Sequence, residues 1–468
     1  MKVKDYSFTF LLFTLLSFII LLGWNIFTDG MFFDGLIYAS VSNNLAHGIG
    51  SFWHLANKIT VGSGYYEQPP FTFFLQSLFY RVFGDGLYVE RLYCLFMAIA
   101  MMFFIYKVWK QQNANHSFLF WLPIFIWLFF PVVSWTYKHN LEEATMGLFD
   151  IIAVFLLLKG CREKKPLLVF MGGGAIFLAS FCKGIQGLFP LVVPGVYWLV
   201  YRQNSFAKMV YQSLLAACIP AIIYVLFYYL PSPHDFYQHY LDRRIAGTFN
   251  GLQNTTTNRF HQLYTLSTEI LYPLILFGLF WWIFSKNKKF SCANWKEVKL
   301  FLFIGLCGSL PLMVTLEQRS FYLTTSMPYF ALALAFLFKN EILSIFQNWS
   351  DKEVSHVKFQ NVLKILIVVF ALPVPFLHNL PKRDGKIIAD VRSLEKQIAP
   401  NTIIQVSEST ANQWKLHGYF MRYARINLES ESPHSYYLAL KTEDPPKDTC
   451  YKKLDQSLTL FDLNSCKK

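Results

Sequence analysis

Long apolar runs recur along this chain and constrain its fold more than any other feature. The first run, YSFTFLLFTLLSFIILLGWNIF, covers residues 6–27, and similar runs follow as far as residue 378. A helix needs about 20 apolar residues to cross the hydrocarbon core of a bilayer. Only 15% of the residues are charged, whereas a soluble globule would have about 25%. The sequence therefore predicts an all-α polytopic membrane protein.

Hydropathy predicts about eleven transmembrane helices. The first run follows Lys2 and Lys4, as the apolar region of a signal peptide would, but it is too long for one and lacks a small-residue cleavage site. We therefore predict that it is retained as the first helix. The other predicted spans are 91–108, 117–134, 144–159, 166–182, 185–201, 209–230, 269–285, 298–315, 321–338 and 359–378.

The orientation depends on segment 70–84, PFTFFLQSLFYRVFG, which is apolar but short and contains Gln76 and Arg81. If this segment lies on the surface as an interfacial or re-entrant helix, Lys107 and the KGCREKK loop at 159–165 fall on the N-terminal side with the other basic loops. The positive-inside rule places that side in the cytoplasm. We therefore predict a cytoplasmic N-terminus and an interfacial or re-entrant helix over 70–84 on the outer face. Lys and Arg residues in the same loops account for the net charge of +13. They would contact anionic lipid headgroups, so binding to nucleic acid is not needed to explain the charge.

The tail differs in composition from the rest of the chain. We predict a transmembrane domain over residues 1–378 and a small α/β domain on the outer, periplasmic face over 379–468. Short apolar strands such as TIIQVS, YYLALK and LTLFDL accompany one helical stretch, IIADVRSLEKQIA. Cys450 and Cys466 lie on the side predicted to be oxidising, so they are either a disulfide or two free thiols.

Several carboxylates follow or precede the apolar runs on the predicted outer face. Asp34 has an aromatic, apolar setting that would raise its pKa and suit a general base, although it could be a solvated loop residue. Glu67 precedes a Pro-Pro pair, which favours an extended backbone. Glu142 and Glu143 begin a predicted helix, where acids also stabilise the helix dipole. We expect only one of these two, Glu143, in an active site.

The motifs MFFDGLIYASVSNNLAHG and YYEQPPFTFFLQSLFYRVFGDGLYVERL, in that order, resemble the first outer loop of a known superfamily. It is that of the dolichyl-phosphate-mannose protein mannosyltransferases and aminoarabinose transferases, glycosyltransferases of the family 39/83 type with a GT-C fold. KHNLEEATMGLFD, SFCKGIQGLFPLVV, TNRFHQLYTLSTEILYP and LPLMVTLEQRSFYLTTSMPYFALALA are similar to its later signatures. The likeness extends over roughly residues 7–340 and implies a GT-C fold here.

Residue by residue, the resemblance implies that Asp34 is the catalytic base and Glu67 a metal or active-site acid. His261 resembles a histidine that shares a divalent metal in aminoarabinose transferases. Two positions depart from the pattern: Gly35 stands where many relatives have Glu, and Gln68 stands where some have a phosphate-binding Lys. Metal dependence therefore stays open at this point.

The resemblance implies an inverting glycosyltransferase of a bacterial inner membrane. Its substrates would be a polyprenyl-phosphate sugar and an acceptor hydroxyl on lipid A, a glycan or a protein. Cationic side chains on the predicted outer face are candidates to neutralise the departing phosphate, or they reach the interface instead. They are Lys183, Arg243, Arg244, Arg259 and Arg319, and Tyr322 in the EQRSFY stretch is expected beside them. The rival interpretation is a transporter or lipid-linked sugar flippase, in which ionisable residues lie near the bilayer midplane.

Overall fold

A computed structural model describes residues 2–58, 64–251, 254–285, 290–351, 356–377, 380, 383–443, 450–454 and 458–466. Nine helices in this described part are long and apolar enough to cross a membrane. The chain is therefore a multi-pass membrane protein, as the apolar runs predicted. A small sheet follows the last of these helices, and this combination of a helical bundle and a terminal α/β unit confirms the predicted fold class.

The membrane part consists of helices joined by short 3₁₀ and π turns. In chain order the helices are α1 Lys2–Leu21, α2 Phe33–Ala46, α3 Phe71–Phe83, α4 Val89–Gln112, α5 Trp121–Phe129, α6 Pro131–Lys138, α7 Glu143–Glu163, α8 Pro166–Lys183, α9 Val193–Tyr201, α10 Phe206–Tyr229, α11 Pro231–Tyr240, α12 Ala246–Phe249, α13 His261–Phe284, α14 Trp295–Ser309, α15 Met327–Asp351 and α16 Val357–Ala371.

Two of the predicted spans are interrupted helices. The span predicted over 117–134 divides between α5 and α6, because Phe130 is extended and Pro131 begins a new helix. The span predicted over 185–201 begins as a 3₁₀ helix, Ile185–Val192, before α9 continues it. Proline has no N–H group for a helical hydrogen bond, so it favours a break or a new helix start, although α10 and α13 continue through Pro220 and Pro273.

Helix α3 corresponds to the segment predicted to lie at the interface. Its 13 residues span roughly 20 Å, which is too short to cross a bilayer. Thr72, Phe73, Gln76 and Tyr80 are buried on one face, while Val82 is exposed on the other. This amphipathic character is typical of a helix lying along a surface.

The tail forms a five-stranded mixed sheet with strand order β2-β1-β3-β5-β4. Strand β1 is parallel to β2 and β3, while β5 is antiparallel to β3 and β4. The elements are α17 Gly385–Glu395, β1 Ile403–Gln405, α18 Glu408–Ala411, α19 Trp414–Tyr419, β2 Asn427–Glu429, β3 Tyr436–Leu440, β4 Lys452–Lys453 and β5 Phe461–Ser465. Cys450 and Cys466, the predicted pair, are joined by a disulfide.

The tail packs directly on α2, near its N-terminal end. Met31 and Leu36 belong to the same buried apolar cluster as the sheet, and a Cβ placed on Gly418 of α19 would lie 2.9 Å from the Leu36 Cβ. Arg422 donates to Glu90 at the start of α4 at 2.8 Å, with both side chains buried. The tail therefore helps to hold α2 in place. The domain boundary after residue 378 stays a prediction.

Candidate active site

A polar cavity of about 420 Å³ lies where several helices begin or end. Its walls come from the start of α2, the segment before α3, the end of α8, the π turn Leu241–Ile245 and residues 317–322. It brings together six residues predicted from the sequence: Asp34, Glu67, Lys183, Arg244, Arg319 and Tyr322. Gln68, Tyr38, Tyr65, Glu317, Phe321 and Trp414 also line it.

Asp34 is held in the first turn of α2 by contacts around the turn that precedes α7. The Phe32 N–H donates to Nδ1 of His139 at 3.1 Å, and the Asn140 amide donates to the Gly35 carbonyl at 3.0 Å. Burial raises the pKa of Asp34 to about 6, although the nearby Lys183 ammonium opposes this shift. A carboxylate that titrates near neutral pH is suited to accept a proton.

Gly35 allows α2 to approach this turn closely. A Cβ at this position would lie 1.8 Å from the carbonyl oxygen of His139. Any side chain here would therefore push α2 and Asp34 away from the α6–α7 turn. This close approach accounts for a glycine at position 35.

Lys183 ends α8 with its ammonium buried among aromatic rings and one carboxylate. Its Nζ lies 2.5 Å from Oε1 of Glu143, whose side chain is fully buried. The ammonium also lies 4.8 Å from the centre of the Tyr322 ring and 5.6 Å from that of Phe321. Glu143 does not line the cavity itself. It is connected to the cavity by its ion pair with Lys183.

Glu142, next to Glu143, has a different environment. Neither of its carboxylate oxygens has a hydrogen-bond partner, and the side chain is 1% exposed. Burial raises the pKa of Glu142 well above its ordinary value, since the opposing Lys183 charge is the smaller influence.

Arg244 is fixed by a hydrogen-bonded network centred on Glu317. The guanidinium contacts Oε1 of Glu317, which also accepts a hydrogen bond from the Tyr322 hydroxyl at 2.8 Å. The Thr248 hydroxyl donates to the other Glu317 oxygen at 2.8 Å. These contacts leave Arg244 charged and oriented towards the cavity that it lines.

The structure does not bring three predicted residues to this cavity. Arg243 is exposed and lies 5.6 Å from the centre of the Tyr66 ring. Arg259 is exposed and donates to the Val314 carbonyl at 2.7 Å. His261 is exposed at the start of α13, where the neighbouring Gln262 takes the buried position. These three side chains therefore do not line the cavity with Glu67, and their predicted roles stay predictions.

The structure does not bring the predicted metal pair together, because Glu67 lines the cavity and His261 does not. A divalent metal stays a prediction. Among the residues that the structure describes, no group of three His, Cys, Asp or Glu side chains could hold a metal ion. The cavity combines three carboxylates, Asp34, Glu67 and Glu317, with three cationic side chains, Lys183, Arg244 and Arg319.

A mostly apolar groove of about 530 Å³ adjoins the polar cavity. The two share Gln68, Lys183, Arg244, Glu317 and Tyr322. From these polar residues the groove continues along side chains that include Leu188, Phe189, Val192, Leu312 and Val314. Two cationic side chains, Lys183 and Arg244, therefore lie where the polar cavity meets the apolar groove.

Sequence reasoning missed several residues that line this site, among them Glu317 and Trp414. Glu317 lies in the EQRSFY stretch, two positions before Arg319, so its place in that motif could have indicated it. Trp414 comes from α19 of the tail and remains 51% exposed. No local pattern around Trp414 indicates a site, because it reaches the cavity only through the packing of the tail on α2.

Comparison with known proteins agrees with this architecture. Residues 67–228 match the family of dolichyl-phosphate-mannose-protein mannosyltransferases. ArnT from Cupriavidus metallidurans, solved bound to undecaprenyl phosphate, superposes with a TM-score of 0.62 at 12% identity, covering 98% of each chain. The protein has the GT-C fold. This confirms the GT-C resemblance that the ordered sequence motifs indicated.

A second GT-C structure is more distant. The oligosaccharyltransferase from Archaeoglobus fulgidus, solved with Zn and sulfate, gives a TM-score of 0.51 at 11% identity over 92% of this chain and 68% of that one. No curated protein sequence matches the chain. The family match begins at Glu67 and therefore excludes Asp34, which is placed at the GT-C cavity by the fold alone.

Proposed function

We propose that this protein is an inverting glycosyltransferase that moves a sugar from a polyprenyl-phosphate donor to an envelope acceptor. The observation that carries this proposal is the junction of the polar cavity with the apolar groove. Asp34 and the cationic side chains line the cavity, while the groove offers apolar surface of the kind that an isoprenoid chain would cover. The ArnT structure holds undecaprenyl phosphate, a lipid of this class.

The geometry supports a direct displacement. Asp34 takes the proton from the acceptor hydroxyl, whose oxygen attacks the anomeric carbon of the sugar. The bond between that carbon and the phosphate oxygen breaks, and the configuration at the carbon inverts. Lys183, Arg244 and Arg319 stabilise the charge that develops on the departing phosphate. The acceptor enters from the end that the groove does not share, which Asp34, Arg319 and Trp414 line.

A transporter or flippase is less consistent with the placement of these residues. Asp34 lies in the first turn of α2, Lys183 is the last residue of α8, and Glu143 is the first residue of α7. The cavity therefore lies at helix ends, whereas transporters place their charged sites near the midplane.

Purified protein in detergent tests the proposal directly. Radiolabelled polyprenyl-phosphate sugars are incubated with the protein and an envelope extract, and the label is followed into glycan, lipid and protein fractions. We expect label to leave the donor and to appear in one acceptor fraction. Intact donor after incubation with every sugar tested would contradict a transferase function.

We propose that cationic side chains, rather than a metal ion bound by His261, neutralise the leaving phosphate. We therefore expect EDTA treatment and His261→Ala to leave the rate of sugar release close to that of the untreated protein. Inactivation by EDTA that Mn²⁺ reverses would contradict this and assign an ion to Asp34 and Glu67. If Mn²⁺ failed to recover the activity of the His261→Ala variant, His261 would be a ligand of the ion.

The pH dependence of activity follows from the environment of Asp34. Its pKa is about 6, and a general base must be deprotonated to act. We expect kcat/KM to fall as the pH drops through about 6, and to level off above pH 7. Donor binding measured at the same pH values serves as the control. A profile that stays flat between pH 5 and 7 would exclude Asp34 as the base.

We propose that the cavity faces the outer, periplasmic side of a bacterial inner membrane. Helices α4 and α7 both run from the cavity end of the bundle towards basic residues at the other end, where Arg162 contacts the Gln111 carbonyl. Basic residues of this kind favour the cytoplasmic side.

Thiol labelling in intact cells tests this orientation. Cysteine introduced at the exposed Ser409 of the tail should react with an impermeant maleimide, while cysteine at the exposed Lys165 should react only after cell lysis. The unsubstituted chain, with six free cysteines in the described residues, gives the background. Reaction at Lys165→Cys in intact cells would reverse the orientation.

A further inference from the structure

A second polar cavity, of about 390 Å³, lies between the membrane part and the tail. Its lining includes Thr28, Gly30, Arg91, Lys138, His139 and Arg383. Three of these side chains are cationic, and no carboxylate is among the described residues that line it. A partly enclosed cluster of cations without an acid favours an anionic ligand. The proposed sugar transfer at Asp34 does not use this cavity.

Arg91 is fixed in this cavity by the backbone. Its guanidinium donates to the carbonyl oxygens of Thr28 and Gly30, the latter at 2.6 Å. The side chain is 5% exposed, and its Nε has no hydrogen-bond partner. A buried N–H of a charged group without a partner is rare in folded proteins. Arg91 therefore has one donor that a ligand could satisfy.

His139 adds a neutral donor beside the cations. Because its Nδ1 accepts the Phe32 N–H at 3.1 Å, the ring proton of the neutral imidazole is on Nε2. Burial lowers the pKa of His139 to about 4, and the charges of Arg91, Arg383 and Lys138 contribute to the shift. All three cations line the same cavity as His139.

Arg383 brings the tail to this cavity. Its carbonyl oxygen would lie 2.4 Å from a Cβ on Gly30, which has a φ of +76°. Its Nε lies 3.4 Å from Asp384, but the same carboxylate also accepts from Lys415 at 3.0 Å. Asp384 therefore divides its charge between two cations and leaves Arg383 incompletely neutralised.

We propose that this second cavity binds a phosphate group, carried by a lipid headgroup or free in solution. Guanidinium groups match phosphate oxygens in geometry, and an ammonium adds a point charge. Arg91, Arg383 and the His139 Nε2–H supply donors, and Lys138 adds positive charge to the lining. Gly30 lies three residues before Phe33 of the polar cavity, so the two sites are within roughly 11 Å along the chain.

Binding of ³²P-labelled inorganic phosphate to the purified full chain tests for the site. We expect the variant Lys138→Gln/Arg383→Gln to bind phosphate at least about tenfold more weakly than the unsubstituted chain. Lys386→Gln is the matched control, because it removes an exposed charge three residues from Arg383 and outside the cavity. Arg319→Gln, in the polar cavity, should not weaken the phosphate binding that the double variant loses. Equal binding by the double variant and the unsubstituted chain would overturn the proposal for free phosphate.

Lipid nanodiscs distinguish the two sources of phosphate. Native mass spectrometry would count lipids retained from discs of phosphatidylglycerol or of phosphatidylcholine. Retention of phosphatidylglycerol that the double variant loses would identify a lipid headgroup as the ligand. Binding of inorganic phosphate without lipid retention would identify the free anion, and the absence of both would eliminate the site.

Thermal unfolding establishes that the variants are folded, and Arg383→Gln alone is the fallback because its backbone contact with Gly30 is unaffected. The rate of sugar release from the donor is measured for the same variants. This rate distinguishes a failure of the phosphate site from a failure of the proposed transferase function.

Discussion

Replacing Asp34 with asparagine is expected to reduce sugar transfer by about 100- to 10,000-fold, because asparagine keeps the shape but cannot accept the acceptor proton. The protein should remain folded and should still bind the donor, since Asp34 is partly exposed and the backbone contacts of Phe32 and Gly35 hold α2 in place. Steady-state transfer rates and donor binding measured in parallel check both parts.

Asp242→Asn is the matched control for this variant. It makes the same substitution at an exposed residue of the π turn that does not line the cavity. We expect it to retain full activity. If Asp34→Asn transfers sugar at nearly the rate of Asp242→Asn, Asp34 is not the base, and Glu67 becomes the remaining carboxylate at the acceptor end of the cavity.

Replacing Lys183 with methionine is expected to affect both stability and activity. Glu143 would be left buried and unpaired, and breaking a buried ion pair costs about 3–5 kcal/mol. Loss of one group that stabilises transition-state charge lowers kcat by about 100- to 1,000-fold. Thermal unfolding in detergent and the rate of sugar release measure the two effects.

The double variant Glu143→Gln/Lys183→Met separates the effect on stability from the effect on activity. Removing both charges should recover most of the lost thermal stability, because no buried charge remains unpaired. Activity should stay low, since the phosphate still lacks its ammonium. Recovery of activity together with stability would instead make the Glu143–Lys183 pair structural, and Arg244 and Arg319 would then be the cations that contact the phosphate.

The membrane architecture could be predicted because a bilayer imposes its constraint locally. Each spanning helix must contain enough consecutive apolar residues, so the runs are visible without knowing what packs against them. The exceptions, α5–α6 and the 185–201 segment, have the same composition but contain prolines that restart the helix. The tail strands β1, β3 and β5 were also predicted, from TIIQVS, YYLALK and LTLFDL. Strands β2 and β4 were not predicted, and β4 has only two residues.

The candidate site was only partly predictable. The direction in which a side chain points depends on the rotation and packing of the helix or strand that carries it. Successive residues of a helix point in directions about 100° apart. Arg244 therefore lines the cavity while the adjacent Arg243 does not, and Gln262 is buried while His261 is exposed. Glu142 and Glu143 differ for the same reason, since only Glu143 meets Lys183.

The sequence by itself determined that the chain crosses a membrane many times, that it resembles GT-C glycosyltransferases, and that Asp34 and Glu67 follow and precede apolar helices. The tertiary structure alone decided which charges meet, because ion pairs such as Arg244–Glu317 join residues 73 positions apart. It alone brought Trp414 to the cavity, through a tail that packs on α2. It also placed Arg91, Lys138 and Arg383, from three separate elements, around a second cavity. Side chains far apart in sequence become neighbours only when the packing of apolar faces fixes the position of every element.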